Sequence, residues 1–148
     1  MSEPMTTLLL RRFYEDFKNK EPDLTTDQLA LRRATWAVYL FSFNSQMRIT
    51  DILRIRVEDV RSSEEALDIT LPHLKTYSSV PGIRAYSEWM QVADIHEGPL
   101  FRTFEAGHVG EQTLTTQALH YLLTDHLLEA GECPFDYSLN SFRLARSM

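Results

Sequence analysis

The side chains of this 148-residue chain with chemistry to offer are five histidines, one cysteine and a run of basic residues from Arg48 to Arg84. A zinc site needs three or four histidine, cysteine or acidic ligands in reach of one another. His120 and His126 share one helical segment but stand six residues apart, on different faces, and no acid completes a set. His73, His96 and His108 are scattered through loop-like sequence. Cys133 stands alone, which excludes an intrachain disulfide; it reads as a small half-buried residue after a helix end. There is no glycine-rich phosphate loop and no Gly-x-Ser-x-Gly, which removes the common nucleotide and acyl-transfer chemistries. No metal and no cofactor are expected. The basic residues Arg48, Arg54, Arg56, Arg61, Lys75 and Arg84 fall within one stretch and offer a local positive face.

Charge sets a limit on that reading. The formal net charge is −6, with acids gathered at Glu15-Asp16, Glu64-Glu65 and from Asp94 to Glu111. A positive face on an acidic body fits nucleic acid locally, but the overall field repels it at long range. Weak DNA binding by the isolated chain is the expectation. Apolar residues at 43% and aromatics at 11% suit one folded domain. No stretch approaches the roughly 18 apolar residues of a membrane span, and the N-terminus lacks a signal-peptide layout. The expectation is a soluble intracellular protein, in cytoplasm or nucleus, with no membrane partner.

The elements that must position the basic residues are mainly helical. Leu9, Phe13 and Phe17 form one stripe of a helix over about residues 5–20, broken by Glu21-Pro22-Asp23. Thr25-Thr26-Asp27-Gln28 is a capping box, flanked by Leu24 and Leu29 at staple positions. The helix it starts is expected to bury Leu29, Trp36, Leu40 and Phe43 and to end near Asn44-Ser45, with a short helix over about 49–55. Leu67 to Leu71 alternates as a half-buried strand, and Pro72 and Pro81-Gly82 flank a loop or hairpin carrying Lys75. An amphipathic segment with Trp89 begins a further helix over about 83–90. Gly98-Pro99 and Gly107-His108-Val109-Gly110 read as turns, residues 114–130 as a helix closed by Gly131, and Ser138 as the cap of a last short helix through Arg146. Tyr39 and Tyr121 read as core. The fold class expected is mainly α with a small antiparallel β-sheet.

Taken locally, Arg48 and Asp51 make an i, i+3 ion pair, Lys75 is a solvated hairpin lysine, and Asn140 to Arg143 opens a short helix with an exposed arginine. Taken together, they form a pattern. Arg48-Ile49-Thr50-Asp51, followed by the apolar ladder Ile52 to Val60, resembles the first-arginine box of tyrosine recombinases, the phage-integrase family, and is especially similar to Cre-type members. Lys75, in Leu74-Lys75-Thr76 and 27 residues after Arg48, stands where that family carries a lysine. Leu139-Asn140-Ser141-Phe142-Arg143 resembles the family box His-x-x-Arg, with Asn140 in the place of the histidine.

The resemblance implies the fold of the DNA breaking-rejoining catalytic core, with residues 1–24 an N-terminal helix and linker and 25–148 a partial catalytic domain. It implies that Arg48 and Arg143 clamp the scissile phosphate, matching its geometry with planar guanidinium groups. Lys75 would protonate the leaving oxygen, and Asp51 would orient its neighbours. Asn140 can hydrogen-bond a phosphate oxygen but cannot shuttle a proton near neutral pH. All six tyrosines precede Arg143, so none holds the nucleophile's place, and the chain is expected not to cleave DNA by itself. The function implied is DNA recombination or integration, as on a mobile element, with DNA and other recombinase protomers or a second copy as partners. Two further readings are a catalytically inactive regulator that keeps the fold, and an unrelated helical interaction domain.

Overall fold

The computed structural model describes residues 5–45, 47–70, 75–77, 80–105, 108–139 and 141–142. Among the described residues are five α-helices, three short 3-10 turns and two small antiparallel sheets. The α-helices and strands are α1 (Thr7–Lys20), α2 (Thr26–Ser45), α3 (Ile49–Leu53), β1 (Val60–Ser62), β2 (Leu67–Ile69), β3 (Lys75–Tyr77), α4 (Val80–Ala93), β4 (Arg102–Glu105), β5 (His108–Thr113) and α5 (Thr116–Glu129). The expected fold class holds, with a second sheet added.

Local chemistry starts and stops the helices. Thr6 Oγ1 accepts from the Leu9 amide at 3.1 Å at the head of α1, and Thr115 Oγ1 accepts from Ala118 at 3.1 Å at the head of α5. The capping box of α2 is reciprocal: Thr25 N–H donates to Gln28 Oε1 at 3.0 Å, and Gln28 N–H donates to Thr25 Oγ1 at 3.3 Å. After α5, Gly131 takes a φ of +77°, and the Glu132 amide bonds back to Leu127 O at 2.9 Å. Only glycine adopts that turn without strain.

Two apolar clusters share α2. One joins Val38 and Phe41 of α2 to Ile52 of α3, Leu67 and Ile69 of β2, Trp89 of α4 and Phe101. Trp89 is fully buried and donates its Nε1–H to Leu100 O at 2.9 Å. The other packs Leu9, Phe13 and Phe17 of α1 on Tyr39 of α2, Leu123 and Leu127 of α5, and Phe142. Among the described residues no helix is long and apolar enough to cross a membrane.

Several sequence expectations need correction. Residues 37–42 of α2 are buried all round, whereas Leu29, Trp36 and Phe43 are only half-buried. The helix runs through the centre between both clusters, so it has no single inward stripe. Tyr121 is 61% exposed, because α5 turns Leu119, Leu123 and Leu127 inward and Tyr121 lies about 200° around from Leu119. Cys133 is exposed. His108, Val109 and Gly110 belong to β5, where Phe104 faces Val109 and Arg102 faces Thr113. Four steps on β5 against two on β4 make a bulge, and that is what the glycine marks. The short helix is 49–53 rather than 49–55, and β2 ends at Ile69. Leu71, Pro72, Gly107 and the continuation of the last helix beyond Phe142 lie outside the described residues.

Candidate functional site

Arg48 occupies the junction between α2 and α3, and its neighbours aim it. Met47 and Ile49 are both buried, so the residue between them faces outward on an extended backbone (φ −67°, ψ 145°). Two serines hold the α2 end of the junction. Ser42 Oγ donates to Met47 O at 3.1 Å from a buried position, and Ser45 Oγ accepts from the Met47 amide at 3.1 Å. On the other side the Arg48 carbonyl accepts from the Asp51 and Ile52 amides, both at 3.0 Å, which starts α3. The guanidinium itself makes no capping bond and is exposed.

Asp51 is half-buried in the first turn of α3. The local i, i+3 ion pair does not form: among the described residues Arg48 is in no salt bridge, with Asp51 or any other acid. Arg48 thus presents a charge with no partner among the described residues. Arg54 and Arg61 are exposed nearby in sequence. Arg56 is committed elsewhere, 3.1 Å from Glu58. The Gly98 amide and Arg56 together hold the Glu58 carboxyl below its ordinary range. Val57 N–H to Gly98 O at 2.8 Å and Leu100 N–H to Ile55 O at 3.0 Å then fix the segment after α3 against the chain at 98–100.

The backbone of Lys75 begins β3, directly opposite Ile69 of β2. Ile69 and Ile52, one turn after Arg48, lie in the same apolar cluster. The strand β2, with which the Lys75 strand pairs, therefore shares a core with α3, which carries Asp51 and follows Arg48. Asn140 and Arg143 lie outside the described residues. Phe142, immediately before Arg143, is fully buried against Tyr39 of α2, and Ser141 O accepts from the Met5 amide at 2.8 Å. The residues that reading the sequence missed are Ser42 and Ser45. A serine inside the apolar run Tyr39 to Phe43 was the available signal, because a buried hydroxyl needs a partner.

No family model and no curated protein sequence matches the chain. Among solved structures it is similar to the XerH site-specific recombinase bound to difH substrate in a pre-cleavage complex (14% identity, TM-score 0.69, covering 97% of this chain and 41% of that one). It is likewise similar to XerH bound to palindromic difH substrate in a post-cleavage complex (13% identity, TM-score 0.68, covering 95% of this chain and 40% of that one). The chain spans about two fifths of the length of those recombinase chains. With its helices around α2 and its small antiparallel sheets, this protein has the tyrosine-recombinase fold.

Proposed function

We propose that this chain is the phosphate-engaging part of a tyrosine-recombinase catalytic domain and acts in DNA recombination or integration. Arg48 and Arg143 clamp one phosphate of the DNA backbone, Lys75 faces the leaving oxygen, and Asp51 and Asn140 orient the group between them. Residues 25–148 carry this site, and residues 1–24 precede it. The observation that carries the reading is Arg48: an exposed guanidinium with no salt bridge among the described residues, held outward between two buried side chains. An arginine kept free of acids in a chain of net charge −6 is placed for an anion from outside.

No tyrosine of these 148 residues is assigned the nucleophile's role. Tyr39 is fully buried and hydrogen-bonded to His126 at 2.9 Å, and all six precede Arg143. The function proposed for these residues is recognition of the phosphate.

Backbone-amide NMR during titration with a short DNA duplex tests the placement. Shifts concentrated at residues 47–53 and 75–77 are expected. Shifts confined to other surfaces, or none at saturating duplex, would overturn it.

A further inference from the structure

A cleft of about 320 Å³ opens where α1, α2 and α4 meet, apart from the residues assigned to phosphate binding. Its floor is apolar, built on Leu10, Trp36 and Leu40. Arg11 and Arg84 line it as well; both are exposed, and neither is in a salt bridge among the described residues. The acid in the lining, Glu88, is already engaged: its Oε2 lies 2.6 Å from Lys18 Nζ and 4.0 Å from Arg33 Nε.

The charge balance of the cleft can be added up. Thr7 and Pro81 bring the N-terminal turns of α1 and α4 to it, neither with an acid in the first turn, and Asn44 brings the C-terminal turn of α2. Each helix end is worth about half a charge, so the three leave roughly +0.5. Two uncompensated guanidinium groups add to that. A chain of net charge −6 therefore holds a positive rim over an apolar floor.

We propose that this cleft binds a small amphipathic anion. An aromatic or branched aliphatic body lies on the Leu10–Trp36–Leu40 floor, and a carboxylate, sulfonate or phosphate head is held by Arg11 and Arg84. The volume sits at the small end of ligand pockets, which are likewise mostly apolar with a few placed polar groups. A neutral apolar ligand would leave both guanidinium groups unused. A nucleic-acid backbone would leave the apolar floor unused.

The test is a fluorescence titration of the intact chain with 8-anilinonaphthalene-1-sulfonate, an aromatic anion, beside its neutral analogue N-phenyl-1-naphthylamine. One saturable site is expected for the sulfonate. The double variant Arg11→Gln/Arg84→Gln should weaken it about tenfold, the loss expected for two solvent-exposed ion pairs, and leave the neutral analogue unchanged. Both arginines are exposed, so near-ultraviolet circular dichroism should show the same packing in the variant. Equal affinity of the two probes, an unchanged double variant, or displacement of the sulfonate by duplex DNA would each overturn the assignment.

Discussion

The rings of Tyr39 and Phe142 stack 4.4 Å apart and within 10° of parallel, tying the middle of α2 to the segment that leads into Arg143. Since α2 also leads into Arg48, one buried aromatic pair sets the stems of both arginine segments on a common core.

Phe142→Ala should cost about 3–5 kcal/mol, the range for deleting a buried phenyl ring. Urea unfolding followed by tryptophan fluorescence reads it directly. A loss below about 1 kcal/mol would mean that the stack does not hold this segment.

The Tyr39 hydroxyl meets His126 Nδ1 at 2.9 Å, with the edge of Phe17 4.8 Å away, centroid to centroid. Burial first, and the charge of Arg32 second, push the His126 pKa from 6.5 to about 4; Lys20 adds to this and Glu129 opposes it. Between those values the unfolded chain takes up a proton that the folded chain refuses. Stability therefore rises with pH across that window, is complete above about 6.5, and is lost as pH falls toward 4, by ~3 kcal/mol in all. Glu129, which burial opposes but Lys20 and Arg32 hold below the usual carboxylate range, titrates beneath most of the window. Urea midpoints at pH 7, 5.5 and 4.5 should fall steadily in the parent and much less in His126→Gln. Parallel curves for the two proteins would contradict the burial of a neutral imidazole.

Ser42→Ala removes a buried donor and leaves Met47 O without it. A loss of about 1 kcal/mol is expected. Because Met47 fixes the exit from α2, DNA affinity should fall too, although no charge is removed. Loss of stability with unchanged DNA affinity would show that the serine supports the helix end without aiming Arg48.

How much of this was legible in the sequence depends on the range of the interaction. The capping box at Thr25, the stripe Leu9–Phe13–Phe17 and the glycine stop at Gly131 are written within a few residues, and each is found. The β4–β5 hairpin was hidden because its bulge makes Gly110 look like a turn, and only pairing across strands sets its register. Tyr121 looked like core because its neighbours are apolar, while the face it occupies depends on where α5 docks. At the site, the outward set of Arg48 follows from the burial of Met47 and Ile49, which only the packed fold reveals. The serine bonds that hold the junction bring Met47 back against Ser42 and Ser45, a contact that no local pattern announces.

The central claim is that Arg48 and Arg143 engage a phosphate, and the most direct test is duplex binding by fluorescence anisotropy across a range of salt. For Arg48→Ala and Arg143→Ala, each with near-parental stability, the account predicts weaker binding at every salt concentration. It also predicts a log–log salt slope shallower by about one per arginine removed. Parental affinity and slope in both variants, or no salt-dependent binding by the parent, would contradict it.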